Sequence, residues 1–445
     1  MAEPIISVSG LRGIVGESLT PEVAVRYAAA FSACLPAGPI VISRDSRPSG
    51  SLLSELIGGT LRAAGRSVIQ ADIAATPTTG VLIRHTGATG GIQISASHNP
   101  SEYNGMKLFS SDGRVIPASA GEEVINKYRS MNFSWANHTD LGGESITSDA
   151  NQVHSELLFN TIDVQRIRER TFTVLLDSNH GAGGILGEFL LKELGCELKL
   201  LGGSPNGQFS HTPEPTAENL TSVCKQVTDA KADIGFCQDP DADRLAVIDE
   251  RGRYIGEEYT LALCLDHVLQ QQKGAVVTNC ATSKMSEEIA NKHDANFFRS
   301  AVGEANVVDM MLRHDAVFGG EGNGGPIDPR VGLVRDSFVG IALILDSLAT
   351  QDCTISQWVN ELPRYEIHKT KVSVDRERIP DSFDRLESEF SSASADRLDG
   401  LRLDWPDKWL LIRSSNTEPI VRVIAEATSK EEATRLCDEA AELIS

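Results

Sequence analysis

Positive charge is what this 445-residue sequence lacks most: 41 Lys and Arg face 62 Asp and Glu, a formal net charge of −21. Partners bound through a basic surface, such as nucleic-acid backbones and anionic membranes, are therefore not expected. Paired cysteines are also missing. The eight thiols at 34, 196, 224, 237, 264, 280, 353 and 437 form no CxxC motif, which argues against a zinc ribbon or a disulfide framework and for reduced packing residues. No apolar run reaches membrane-spanning length, and Met1-Ala2-Glu3-Pro4 has neither the basic start nor the apolar stretch of a secretory signal. The expectation is a cytoplasmic protein. No segment is of low complexity.

What is present, 41% hydrophobic and 23% charged residues over 445 positions, suffices for several globular domains. Thr20-Pro21-Glu22 reads as an N-cap, a proline in the first turn and an early acid, leading a helix through Ala30. A strand at 39–43, a helix at 52–64 ended by Gly65, and a strand at 67–70 follow, so β and α alternate. The pattern restarts at Phe172 with a strand, the turn Gly181-Ala182-Gly183-Gly184 and a helix, and again at Glu257. After about residue 368 it changes to a helix near 381–390, strands at 401–403, 409–413 and 420–425, and a last helix from Lys430. The fold class expected is α/β: three similar α/β domains at 1–150, 151–252 and 253–368, with mixed sheets flanked by helices, then a smaller α+β domain at 369–445.

Four loops carry chemistry. Past a strand of small residues, Ser95-Ala96-Ser97-His98-Asn99-Pro100 presents a hydroxyl, with Lys107 ten positions beyond it. Ser97 is placed either as a nucleophile or phosphate carrier or as part of an ordinary polar turn. Asp239-Pro240-Asp241-Ala242-Asp243-Arg244 sets carboxylates at alternate positions, able to converge on one hard cation. An EF-hand would need glycine where Arg244 stands, and so few carboxylates with room for a phosphate oxygen favour Mg²⁺ over caged Ca²⁺. The run from Gly319 to Pro326 displays Glu321 and Asn323 between glycines, suited to reading sugar hydroxyls or simply a flexible turn. Arg413-Ser414-Ser415-Asn416-Thr417-Glu418-Pro419, with Arg422 beyond, reads as a phosphate cradle or a polar hairpin. Arg12 and the Arg44-Asp45-Ser46-Arg47 stretch add basic loops on an acidic chain.

The four loops, in this order and with Tyr103-Asn104-Gly105 before Lys107, resemble those of the α-D-phosphohexomutase superfamily, which includes phosphoglucomutase, phosphomannomutase and phosphoglucosamine mutase. The similarity covers nearly the whole chain. It implies a heart-shaped molecule of four domains with its site in the central cleft. By position, Ser97 would carry the phosphoryl group; Asp239, Asp241 and Asp243 would hold Mg²⁺ together with it. Lys107, Arg12, Arg244 and His98 would surround the transferring group, Lys107 as a candidate acid/base. Glu321 and Asn323 would read hydroxyls, and Arg413, Ser415, Asn416, Thr417 and Arg422 would hold the second phosphate.

The implied reaction interconverts hexose 6-phosphate and hexose 1-phosphate through a hexose 1,6-bisphosphate, by a monomer or homodimer. Glucosamine phosphate leads as the sugar, with mannose or glucose phosphate behind it. A silent sugar-phosphate sensor and a phosphatase are rival classes. Two departures stand out. Many bacterial relatives read serine-glycine-histidine where this chain has Asn323-Gly324-Gly325, a version that resembles archaeal-type mutases, and Glu304 stands where some relatives have histidine. Ser414 replaces a proline common in the phosphate loop.

Overall fold

The computed structural model describes residues 3–374, 379–414 and 420–444. Its four sheets follow one theme. In the first, seven mixed strands run in the order Ile5–Ser7, Gly10–Ile14, Tyr103–Ser110, Gly90–Ile94, Ile40–Arg44, Val68–Ile73 and Glu144–Ile146. Its central strands are parallel, but Gly90–Ile94 and Tyr103–Ser110 pair antiparallel, so the segment between them is a hairpin connection. The second sheet repeats this: Thr173–Asp177 lies parallel to Ile234–Gln238, which turns back antiparallel into Leu245–Asp249. So does the third, where Val276–Asn279 lies parallel to Phe318–Glu321 and the latter turns into Gly325–Ile327. The fourth sheet is antiparallel throughout, and Trp409–Ser414 pairs with Ile420–Ala427. All four loops singled out in the sequence thus connect antiparallel neighbours. Antiparallel neighbours can be joined by such short connections.

Local sequence explains much of the frame. Thr20 Oγ1 accepts the Val23 N–H at 3.4 Å and Pro21 opens the helix Pro21–Ser32, as expected of that cap. The expected boundary after residue 368 falls inside the strand Glu366–Ser373, which pairs along its full length with Ile420–Ala427. That strand lies at the sheet edge and alternates charged with half-buried residues. Its composition therefore resembles a linker more than a core strand. The second and third sheets share one hydrophobic core, joining Val174, Leu176 and Phe236 to Leu261, Phe318 and Leu345. Helix Ser337–Gln351 is buried from Ser337 through Leu348, and apolar nearly all round because it packs on every side. The first and fourth sheets keep cores of their own. Among the described residues no single helix is long and apolar enough to cross a membrane. All eight cysteines are free.

Candidate active site

Ser97 has φ +50°, a left-handed backbone that a serine adopts only when its surroundings enforce it. Ser97 N–H donates to Ser95 Oγ at 2.9 Å, and Ser95 Oγ donates to Asp45 Oδ2 at 2.7 Å. Asp45 also pairs at 3.0 Å with the fully buried Arg47, whose guanidinium donates to the carbonyls of Ser97, Asn99 and Pro100, each at 2.7 Å. Phe209 of the second domain covers Arg47, with its ring centroid 5.0 Å away. One arginine therefore satisfies three loop carbonyls and locks the turn. The result aims Ser97 Oγ at Asp239 Oδ2, 2.8 Å away, with His98 Nδ1 at 3.3 Å.

The aspartates come from the second hairpin, where Ala242, φ +56°, supplies the bend. Asp239 Oδ1 accepts the N–H groups of Asp243 and Arg244, both at 3.1 Å, so the first carboxylate closes the loop that carries the other two. Thr76, at the N-terminus of helix Thr76–Thr86, donates its hydroxyl to Asp241 Oδ2 at 2.6 Å and its N–H to the Asp241 carbonyl at 2.9 Å. All three carboxylates are fully buried and each offers an oxygen within 4.8 Å of the others'. Among the described residues Asp241 Oδ1 and Asp243 Oδ1 have no hydrogen-bond partner. Two orphaned carboxylate oxygens beside a third carboxylate fit a hard cation with oxygen ligands.

The three carboxylates differ in how far their neighbours offset burial: Asp239 is raised, whereas Asp241 and Asp243 are lowered. Burial, with Asp241 and Asp243 beside it, pushes Asp239 well above the usual carboxylate range. Asp243 stays low: burial would raise it, but Arg335, Lys107 and Arg244 more than offset that. Lys107 Nζ lies 2.7 Å from Asp243 Oδ2 and 3.2 Å from Asp241 Oδ2. Burial would lower its pKa, yet Asp241, Asp243 and Glu304 raise it on balance, so it is held as an ammonium counter-ion. His98 is lowered to about 3 by burial and by Arg244 and Arg12, and is a neutral imidazole at physiological pH.

A cleft of about 700 Å³ opens in front of these groups. Arg12, His98 and Arg244 line its inner end, Glu321 and Asn323 its third-domain wall, and Arg413, Arg422, Lys369 and Lys371 its fourth-domain wall. Asn323 Oδ1 is buried and has no partner among the described residues. Glu321 is held by Asn279 Nδ2 at 2.8 Å, the Gly303 N–H at 3.1 Å and Arg335 Nη1 at 2.8 Å. Arg413 Nε donates to Asp399 at 2.7 Å, and Arg413 and Arg422 are register partners across the fourth hairpin. Ser415, Asn416 and Thr417 lie outside the described residues.

Several neighbours carried no signal in the sequence. Thr76, Arg335 and Glu258 reach the site from helix starts, and Lys369 and Lys371 from the edge strand Glu366–Ser373. The Thr76-Pro77 and Asp336-Ser337 pairs mark helix starts, which is the one local hint available. Glu258 also lines the cleft and is raised to about 8, chiefly by burial.

Comparison with known proteins bears on the whole chain. Family models of the phosphoglucomutase/phosphomannomutase α/β/α domains I, II and III match residues 5–134, 152–252 and 257–365, and the C-terminal domain model matches 370–443. A phosphoglucomutase/phosphomannomutase of Thermococcus kodakarensis is 37% identical over 95% of this chain and 94% of its own. A probable phosphoglucosamine mutase of the same organism is 32% identical over 98% and 97%. The crystal structure of a phosphoglucomutase/phosphomannomutase family protein from Burkholderia thailandensis superposes with TM-score 0.87 at 27% identity, covering 99% of this chain and 97% of that one. Four domain matches in order, near-complete coverage and the shared four-sheet architecture place this chain in the phosphoglucomutase/phosphomannomutase family.

Proposed function

We propose that the protein interconverts a hexose 6-phosphate and the corresponding hexose 1-phosphate, with Ser97 as phosphoryl carrier and glucosamine phosphate as the sugar. The observation that carries this reading is the Ser97 hydroxyl, enforced by a left-handed backbone and 2.8 Å from Asp239 of a buried aspartate triad, next to His98, which lines a cleft whose far wall is cationic. A phosphorylated Ser97 would pass its group to the free hydroxyl of a sugar monophosphate. The bisphosphate would turn over in the cleft, and Ser97 would take back the other phosphate. Phosphoryl transfer of this kind needs positioning and charge neutralisation more than covalent chemistry.

Each part of the chain has a task in that cycle. Arg47 and Asp45 fix the Ser97 turn; Arg12, Arg244 and Lys107 supply cations around the transferring group. Asp239, Asp241 and Asp243 would hold Mg²⁺, which when bound offsets the charge developing on the phosphoryl oxygens. Glu321 and Asn323 face the sugar. Arg413 and Arg422, with Ser415, Asn416 and Thr417, would anchor the phosphate not being transferred. The division of the chain near residues 150, 252 and 368 assigns one such task to each domain.

Two observations support glucosamine: the cleft places Glu214 and Glu321 among its lining, complementary to an ammonium, and several relatives of 31–32% identity are named probable phosphoglucosamine mutases. The 37% relative favours the second reading, glucose or mannose phosphate. The deciding assay supplies purified protein with Mg²⁺, a hexose 1,6-bisphosphate and each of the three 6-phosphates, and follows 1-phosphate by ³¹P NMR. Turnover of glucosamine 6-phosphate fastest supports the proposal, and faster turnover of another sugar replaces it with the second reading. No turnover of any, with Ser97 phosphorylated by intact mass, refutes both.

A further inference from the structure

Arg335 is buried among carboxylates belonging to three parts of the site. Nη2 donates to Asp243 Oδ2 at 2.6 Å, Nη1 to Glu321 Oε2 at 2.8 Å, and Nε lies 3.4 Å from Glu304 Oε2. Its own N–H donates to Glu304 Oε1 at 3.0 Å. One planar guanidinium thus spans the aspartate hairpin of the second sheet and the sugar-facing hairpin of the third. A lysine has a single point of charge and cannot reproduce that fork. Asp243 Oδ2 is taken by Arg335 and Lys107, which leaves its unpartnered Oδ1 for a cation. The same fork restrains Glu321 Oε2.

The sugar-facing loop is shaped around this arginine. A Cβ at position 325 would stand 2.8 Å from Arg335 Cγ and 2.9 Å from its Cβ, and closer still to Cδ. Gly325 therefore leaves the channel through which the Arg335 stem passes, and any side chain at 325 excludes the arginine from its present path. The departure seen in the sequence at Asn323-Gly324-Gly325 has this steric meaning. The two hairpins also touch directly, Leu245 N–H donating to the Gly324 carbonyl at 2.9 Å.

We infer that Arg335, accommodated by Gly325, is the positioning residue that couples the cation site to the sugar-reading loop. A cation drawing on Asp243 Oδ1 and a sugar engaging Glu321 both depend on the same guanidinium, so each favours the arrangement the other needs. By linkage the effect is reciprocal. Ligation partners of this outer kind commonly change metal affinity by about 10–100-fold when removed.

The inference rests on the proposed function, and the test separates the two. Mg²⁺ is titrated calorimetrically into dephosphorylated protein, which cannot turn ligand over, with and without saturating hexose 6-phosphate. The unmodified protein is expected to gain Mg²⁺ affinity in the presence of the sugar phosphate by about fivefold or more. Arg335→Lys should still bind each ligand alone but lose most of that gain. Gly325→Ala, which alters no charge, should lose it as well. In Gly325→Ala/Arg335→Met the gain should equal that of Arg335→Met alone, because the alanine then has no arginine stem to displace. A gain unchanged in Arg335→Lys, or strictly additive effects at 325 and 335, overturns the inference and leaves the proposed function standing. Failure of the unmodified protein to bind Mg²⁺ overturns both.

Discussion

The two ends of the cleft solve opposite problems. At the inner end Asp239, Asp241 and Asp243 are fully buried, Ser97 is 2% exposed, and Arg47, Thr76, Lys107 and Arg335 hold the Ser97 turn or the aspartates by hydrogen bonds. At the outer end Arg422 is exposed, Arg413 has among the described residues a single carboxylate partner in Asp399, and Lys369 and Lys371 sit on an edge strand. A buried end strengthens every charge interaction and keeps water from a phosphoryl group in transit. Under the proposed function an exposed end would grip a phosphate with charge that water and salt weaken, so it could also let go. A sugar that must turn over between two half-reactions needs one end that does not yield and one that does.

The largest expected effect is at the inner end. Ser97→Ala should lower isomer formation by about 10⁴-fold or more, since it removes the hydroxyl held 2.8 Å from Asp239 that the proposal makes the phosphoryl carrier. Coupled assay and intact mass check it; substantial residual turnover would move the carrier role elsewhere. Asp241→Asn, or removal of divalent ions by chelator, should cost on the order of 10²–10³-fold, and added Mg²⁺ should restore the chelated protein but not the variant.

At the outer end the loss should appear in KM. Arg422→Ala is expected to raise KM by about tenfold with kcat within about twofold, as removal of one charge-assisted contact predicts. An equal fall in kcat would erase the distinction between the ends. Raising salt from 50 to 300 mM should raise KM by about two- to threefold while the Mg²⁺ affinity of the buried triad changes less.

The smallest effect lies between the ends. Burial raises Glu258 to about 8, against an offset from Lys369 and the Ser283 N–H. An unfolded glutamate titrates near 4.3, so the folded state binds the extra proton between those values. Its stability contribution is complete below about pH 4.3 and is lost as pH rises towards 8. Glu258→Gln should therefore raise the melting temperature by about 2–4 °C at pH 8, with the difference shrinking towards pH 5. An equal shift at both pH values would mean that packing, not charge, sets it.

Legibility followed the range of the interaction that fixes each feature. The cap at Thr20, the strand before Ser97 and the Asp239 turn depend on residues a few positions apart, and the sequence displayed them. Helix Thr76–Thr86 escaped because three of its first four residues are buried threonines rather than an apolar stripe. Helix Ser337–Gln351 escaped for the reverse reason, being apolar without a polar face. Arg335 reaches a partner 92 positions away, and no local pattern records that distance.

The sequence by itself determined the four chemical loops and their order, because glycine, proline and alternate carboxylates act through turns and neighbours. It also determined the alternating α/β frame. Only the tertiary structure decided that residues of all four domains line one cleft, that the second and third sheets share a core, and that one arginine joins Asp243 to Glu321. Those outcomes come from packing and buried charge pairing between distant segments, where shape and desolvation, not local propensity, select the partner.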